Sequence, residues 1–117
     1  MAITAFATGT LSTTGSGTED FLSSPNQSAT YVLKVDLNDM ASGDVIEVRV
    51  YVMVLTGGTA RVAYYTRREG LQPADDKILL SVPVPTDLAE TNGVRFSITQ
   101  LAGTAGISLP WSVMKIA

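Results

Sequence analysis

The chain of 117 residues contains no cysteine and no histidine. Without cysteine there is no disulfide framework, no thiolate nucleophile and no cysteine zinc site. Without histidine, Ser-His-Asp and Cys-His catalysis are closed, as are imidazole metal ligation and a charge switch near neutral pH. Charge is scarce too: Asp, Glu, Lys and Arg make up 16% of the residues, against about 25% in an ordinary soluble domain. Lys and Arg number 8 against 11 Asp and Glu, for a formal charge of −3. Duplex binding is driven by phosphate neutralisation, so this balance argues against nucleic acid. A low charge and a positive mean hydropathy point instead to a subunit that hides surface against neighbours.

Long apolar runs are missing as well. The stretch Val45 to Leu55 is broken by Glu47 and Arg49 and falls short of the ~20 residues of a membrane span. The segment Met1 to Ala7 lacks the basic start and apolar run of a signal peptide. No membrane partner and synthesis in the cytoplasm are the resulting expectations.

What is present is alternation. Tyr31, Leu33, Val35 and Leu37 share one face of a strand, with Lys34 and Asp36 on the other. Ile46, Val48, Val50, Val52 and Val54 continue the theme, all β-branched and suited to a sheet. Gly57-Gly58 supplies a turn, and a further alternating run covers Thr59 to Arg68. Lys77 to Val82 forms a strand that Pro83 and Pro85 confine to an edge. Thr91-Asn92-Gly93 is a turn before Val94 to Leu101, and a last strand runs from Ile107 to Ile116 with a bend at Pro110. A short strand near Ile3 to Thr8 brings the total to about seven. Asp87 to Glu90 is the one stretch that could make a helical turn. The reading is all-β: one antiparallel β-sandwich over residues 1–117, jelly-roll or Ig-like. Residues 1–28 form an arm or strand followed by a Gly/Ser/Thr-rich long loop or arm from Thr8 to Ser28, and 29–117 form the body.

Candidate chemistry is thin. Asp36, Asn38 and Glu47 fall at positions 1, 3 and 12 of a calcium loop, but Met40 and Ala41 stand where an oxygen ligand and glycine are needed. A polar hairpin turn is the reading there, with no metal and no cofactor. Asp75-Asp76 and Glu47 are not placed with an aromatic by spacing, so glycoside hydrolysis has no support. Gly15-Ser16-Gly17 and Gly103 to Gly106 lack the lysine and helix of a phosphate loop. Arg61 and Arg67 alternate with Tyr65 on one strand face, beside Arg68, and read as a solvated or ion-paired face before a stacking platform for single strands. The chain is expected not to be an enzyme. The odd face of the Val45 strand turns from Glu47 and Arg49 to Tyr51, Met53 and Leu55, apolar on both sides. Those three residues, with Ile3 and Phe6 of the arm, are the candidate interface, and a homotrimer is expected before a dimer.

The run Val94-Arg95-Phe96-Ser97-Ile98-Thr99-Gln100-Leu101-Ala102-Gly103-Thr104-Ala105-Gly106, followed by Leu109-Pro110-Trp111-Ser112-Val113, resembles small structural proteins of tailed-bacteriophage virions. The Val45 to Tyr65 hairpin with its Gly-Gly turn looks similar. The resemblance implies a capsid decoration (cement) protein on the outer surface of a phage head, with the major capsid protein as partner, no catalytic residues, and virion localisation after synthesis in a bacterial host. The competing reading is a small carbohydrate- or receptor-binding β-sandwich, with Trp111, Tyr64 and Tyr65 as its platform.

Overall fold

The computed structural model describes residues 2–116. Period-two alternation condenses into nine strands: β1 (Ile3–Ser12), β2 (Glu19–Ser23), β3 (Ala29–Asp36), β4 (Val45–Val52), β5 (Arg61–Glu69), β6 (Ile78–Leu80), β7 (Val84–Thr86), β8 (Val94–Ala102) and β9 (Ser108–Ile116). They form two antiparallel sheets. In one the order is β1-β9-β3-β6, with β7 also on β3; in the other it is β2-β8-β4-β5. Among the described residues there is no helix, and Asp87 to Glu90 is irregular.

The pairing is nested. β1 meets β9, β2 meets β8, β3 meets β6 and β7, and β4 meets β5. The chain is thus one long folded ribbon, wrapped so that β3·β9 and β4·β8 contacts complete each sheet. That is jelly-roll topology. β6 and β7 are one ribbon strand interrupted at Ser81. There the hydroxyl of Ser81 accepts the Leu33 N–H at 2.9 Å, and the Ser81 N–H donates to the Leu33 carbonyl at 2.8 Å. Pro83 and Pro85 lie on this sheet edge, where a missing donor breaks no ladder.

The core follows the alternation. Tyr31, Leu33 and Val35 of β3, with Leu109 and Val113 of β9 in the same sheet, face Ile46, Val48 and Val50 of β4 and Val94, Phe96 and Ile98 of β8, all at most 5% exposed. The principal extents are 41 × 29 × 19 Å. The short dimension fits two sheets about 10 Å apart plus their outer side chains, so each sheet has one face against the core and one outside.

Three expectations need correction. The strand expected near Ile3 to Thr8 forms and runs on to Ser12, in register with β9 from Ile3↔Ile116 to Ser12↔Ser108, but Thr8 to Ser28 is not one long loop or arm, because β2 within it pairs with β8. β2 and the end of β1 are polar edge segments without apolar alternation, so they read as loop. Phe6 is not a free contact residue. A bulge between Ala5 and Ala7 turns it inward, where its ring packs edge-on to Tyr31 at 5.5 Å. The Val45 strand also stops at Val52. Met53 donates its N–H to the Gly93 carbonyl, and the chain leaves the sheet, so Val54 is 82% exposed and not core. These changes, with the broken edge strand, account for nine strands where about seven are expected.

The loop from Asp36 to Asp44 is a local turn. Asp36 Oδ1 accepts the Asn38 N–H, Asp44 Oδ2 accepts the Ala41 N–H, and Met40 is buried.

Tyr31 couples the fold to alkaline pH. Burial pushes its phenol above the ordinary value of 10.0, and its O–H donates to the Gln27 carbonyl at 2.7 Å. A raised folded-state pKa contributes stability that is complete below the unfolded value and lost as pH rises through the folded one. Thermal melts are therefore expected to fall above about pH 10, and to fall less steeply in Tyr31→Phe. Parallel pH profiles for the two proteins would refute this assignment.

Candidate functional site

The two outer faces differ in chemistry. On the β1-β9-β3-β6 sheet the register sets out cross-strand rows: Ile3, Ile116, Thr30 and Pro85; then Ala5, Met114 and Val32; then Thr8, Ser112, Lys34 and Leu80. Beyond them lie Thr10 with Pro110, and Asp36 with Ile78. Ile3 (65%), Ile78 (52%) and Leu80 (58%) stand exposed in this face, and Val82 (46%) extends it. Lys34 and Asp36 are the only charged residues in these rows. Between Pro110 and Ile78 an open groove of about 360 Å³ is bordered by Lys34, Asp36 and Ser112. Exposed apolar side chains at several positions of one sheet face mark a candidate interaction surface.

The outer face of the β2-β8-β4-β5 sheet is polar and aromatic. One row is Glu19, Thr99, Glu47 and Arg67; the next is Phe21, Ser97, Arg49 and Tyr65; the third is Arg95, Tyr51 and Val62. Glu19 Oε2 accepts both the Tyr51 and the Ser97 hydroxyl, each at 2.5 Å. The Arg95 guanidinium lies 4.4 Å from the Phe21 ring centroid and 4.5 Å from that of Tyr51. Each cation–ring contact contributes about 0.5–1 kcal/mol at such a site. Arg49 pairs with Glu47. Tyr51 first, and then Glu47, hold its guanidinium above its already high ordinary value, so it stays charged wherever the protein folds. Two buried polar atoms of this face, Arg95 Nε and Thr99 Oγ1, have no hydrogen-bond partner.

The five candidate interface residues do not form one surface. Ile3 is on the apolar face, Phe6 is inside, and Tyr51 is in the polar network. Met53 is half-buried where β4 ends, and Leu55 is 73% exposed in the β4–β5 loop. In that loop the Gly58 N–H donates to the Leu55 carbonyl at 2.9 Å. Val54, Leu55 and Val62 border a hollow of about 270 Å³. The proposed aromatic platform also separates. Tyr64 and Trp111 pack against the core, and only Tyr65, 65% exposed, faces outward. The Trp111 ring lies so close to Gly9 that a Cβ there would sit 3.0 Å from Trp111 Cζ2.

The basic residues of β5 are split by a bulge. Val50 pairs with Tyr64 but Tyr51 with Val62, which puts Arg61 on the opposite side from Arg67. Arg67 reaches Glu69 at 3.8 Å and Arg68 reaches Asp76 at 3.6 Å. No continuous basic stripe forms. Among the described residues, no three Asp or Glu side chains converge in a cation-binding arrangement. The residues that sequence reasoning missed are Glu19, Phe21 and Arg95: two lie in a strand that reads as loop, and the third is 74 positions from Phe21 along the chain.

Comparison with protein-family models, with curated proteins and with solved structures finds no match.

Proposed function

We propose that this chain is a structural subunit of a virion head, a capsid decoration protein that lies on the outer surface of the shell. The observation that carries the reading is the apolar outer face of the β1-β9-β3-β6 sheet, with Ile3, Ile78 and Leu80 exposed and two charges in its rows. Such a face loses free energy in water and gains it against another protein, at about 25 cal/mol per Å² of apolar area removed from solvent. The sequence resemblance to phage virion proteins supplies the partner, the major capsid protein. Repetition on a symmetric shell lets many modest contacts add up, because each engaged subunit raises the effective concentration of the next. The mechanism is surface complementarity without bond chemistry. Val54, Leu55 and Val62 lie away from this face and serve contacts between copies, a trimer before a dimer.

The test is binding to mature phage heads stripped of decoration. Leu80→Lys and Ile78→Lys place a charge where the contact is dry; attachment is expected to weaken by more than about tenfold, since an unpaired desolvated charge costs several kcal/mol. Both sites are exposed, so melting should change little. Light scattering is expected to report an oligomer. Wild-type protein that binds no shell, or lysine variants that attach as wild type, would overturn the docking face. A stable monomer at micromolar concentration would overturn the assembly.

A further inference from the structure

The outer face of the β2-β8-β4-β5 sheet holds more polar and aromatic chemistry than a solvated face needs. We propose that it binds a neutral saccharide, laid along the row Phe21, Ser97, Arg49 and Tyr65. The inference does not rest on the shell reading, because the two faces lie on opposite sides of the sandwich and do not compete.

Four observations converge. First, Phe21 (54%) and Tyr65 (65%) are exposed rings at the two ends of one cross-strand row. Three strand spacings separate them, about 14 Å, the reach of two to three linked pyranose rings. The C–H faces of a pyranose are apolar, and an aromatic ring offers them a flat, weakly hydrated platform.

Second, Thr99 is 5% exposed, lies between Glu19 and Glu47 in register, and its hydroxyl has no partner. Arg95 Nε, in the next row but one, is likewise buried and unpaired. A buried polar group without a partner costs about 1–3 kcal/mol. A ligand hydroxyl reaching between the two glutamates supplies what Thr99 lacks, since a hydroxyl both donates and accepts.

Third, the charges of the face cancel. Glu19, Glu47 and Glu69 stand against Arg49, Arg67 and Arg95 on the outward side of the register. A net-neutral face gives no advantage to a phosphate, a nucleic acid or an acidic polymer, and none to a cation. A neutral polyol can use carboxylates as acceptors and guanidinium groups as donors at once.

Fourth, the face is pre-arranged. Glu19 is held by Tyr51 and Ser97, and Arg95 by the rings of Phe21 and Tyr51, so little side-chain freedom remains to be lost on binding.

The experiment uses the full chain with maltotriose, cellotriose, mannotriose and chitotriose, followed by saturation-transfer NMR and titration. Trigalacturonate serves as the charged comparison. Saturation transfer is expected to at least one neutral trisaccharide. Phe21→Ala and Tyr65→Ala are each expected to weaken that binding by about tenfold, the scale of one lost stacking contact. Thr99→Val, which keeps the shape and removes the hydroxyl, is expected to weaken it several-fold. Leu80→Lys on the opposite face should leave it unchanged, and Phe21→Ala should leave shell attachment unchanged. Three results would each overturn the proposal: no transfer to any of the four, transfer that persists undiminished in Phe21→Ala and Tyr65→Ala, or tighter binding of trigalacturonate.

Discussion

Phe96→Ala is expected to lower the free energy of unfolding by about 3–5 kcal/mol, the range for deleting a fully buried aromatic side chain. Phe96 is 0% exposed, at the middle of β8, where it pairs with Val50 and packs in the core with Tyr31 and Leu33. β8 is flanked by β2 and β4, so backbone pairing on both sides limits how far the sheet can close on the void. A domain of this size has about 5–15 kcal/mol in total, so the substitution removes a large share of its stability. Urea unfolding should show a lower midpoint at unchanged slope. Phe21→Ala removes the same atoms from a ring 54% exposed, and should cost about 1 kcal/mol or less. Equal losses at the two positions would contradict the inward and outward assignment of β8 and β2.

Gly103→Ala is the second large effect, and its cause is steric. Gly103 has φ +103°, and a Cβ there would overlap the Asp44 carboxylate and come within 2.9 Å of the Asp44 Cα. The carboxylate could swing away; the Cα cannot. Asp44 is also committed elsewhere. Its Oδ2 accepts the Ala41 N–H at 2.9 Å, its own N–H donates to the Ala41 carbonyl at 3.1 Å, and its carbonyl accepts the Gly70 N–H at 2.7 Å. Three segments therefore meet at this point: the β3–β4 turn, the end of β5 and the β8–β9 turn. Backbone strain of about 1–3 kcal/mol and overpacking of similar size combine to an expected loss of about 2–5 kcal/mol. Gly43→Ala, at φ +91° with nothing within 4 Å of the added carbon, carries the strain without the overlap. A melting temperature for Gly103→Ala no lower than for Gly43→Ala would show that Asp44 yields freely.

The strands with one Val- or Ile-rich face were legible in the sequence, together with the side each residue takes. Tyr31, Leu33 and Val35, and likewise Ile46, Val48 and Val50, turn inward as their spacing demands, because side-chain direction in a strand is a local property with a period of two. The prolines likewise placed Pro83 and Pro85 at an edge, since a missing N–H cannot sit inside a ladder. Polar edge strands are another matter. β1 pairs along only one side, so its Thr and Gly positions carry no burial signal, and Phe6 is turned inward by a bulge that shifts the period by one residue. The same kind of shift in β5 separated Arg61 from Arg67.

Apart from the β4–β5 hairpin marked by Gly57-Gly58, which strands become neighbours was decided by the tertiary structure alone. The nested pairing puts the first strand beside the last, and so brings Ile3 to Ile116 and Glu19 to Thr99 and Glu47. Alternation along one strand says nothing about which strand lies across from it. That is why the apolar face and the polar, aromatic face, each assembled from strands far apart in the chain, exist only once the ribbon has wrapped.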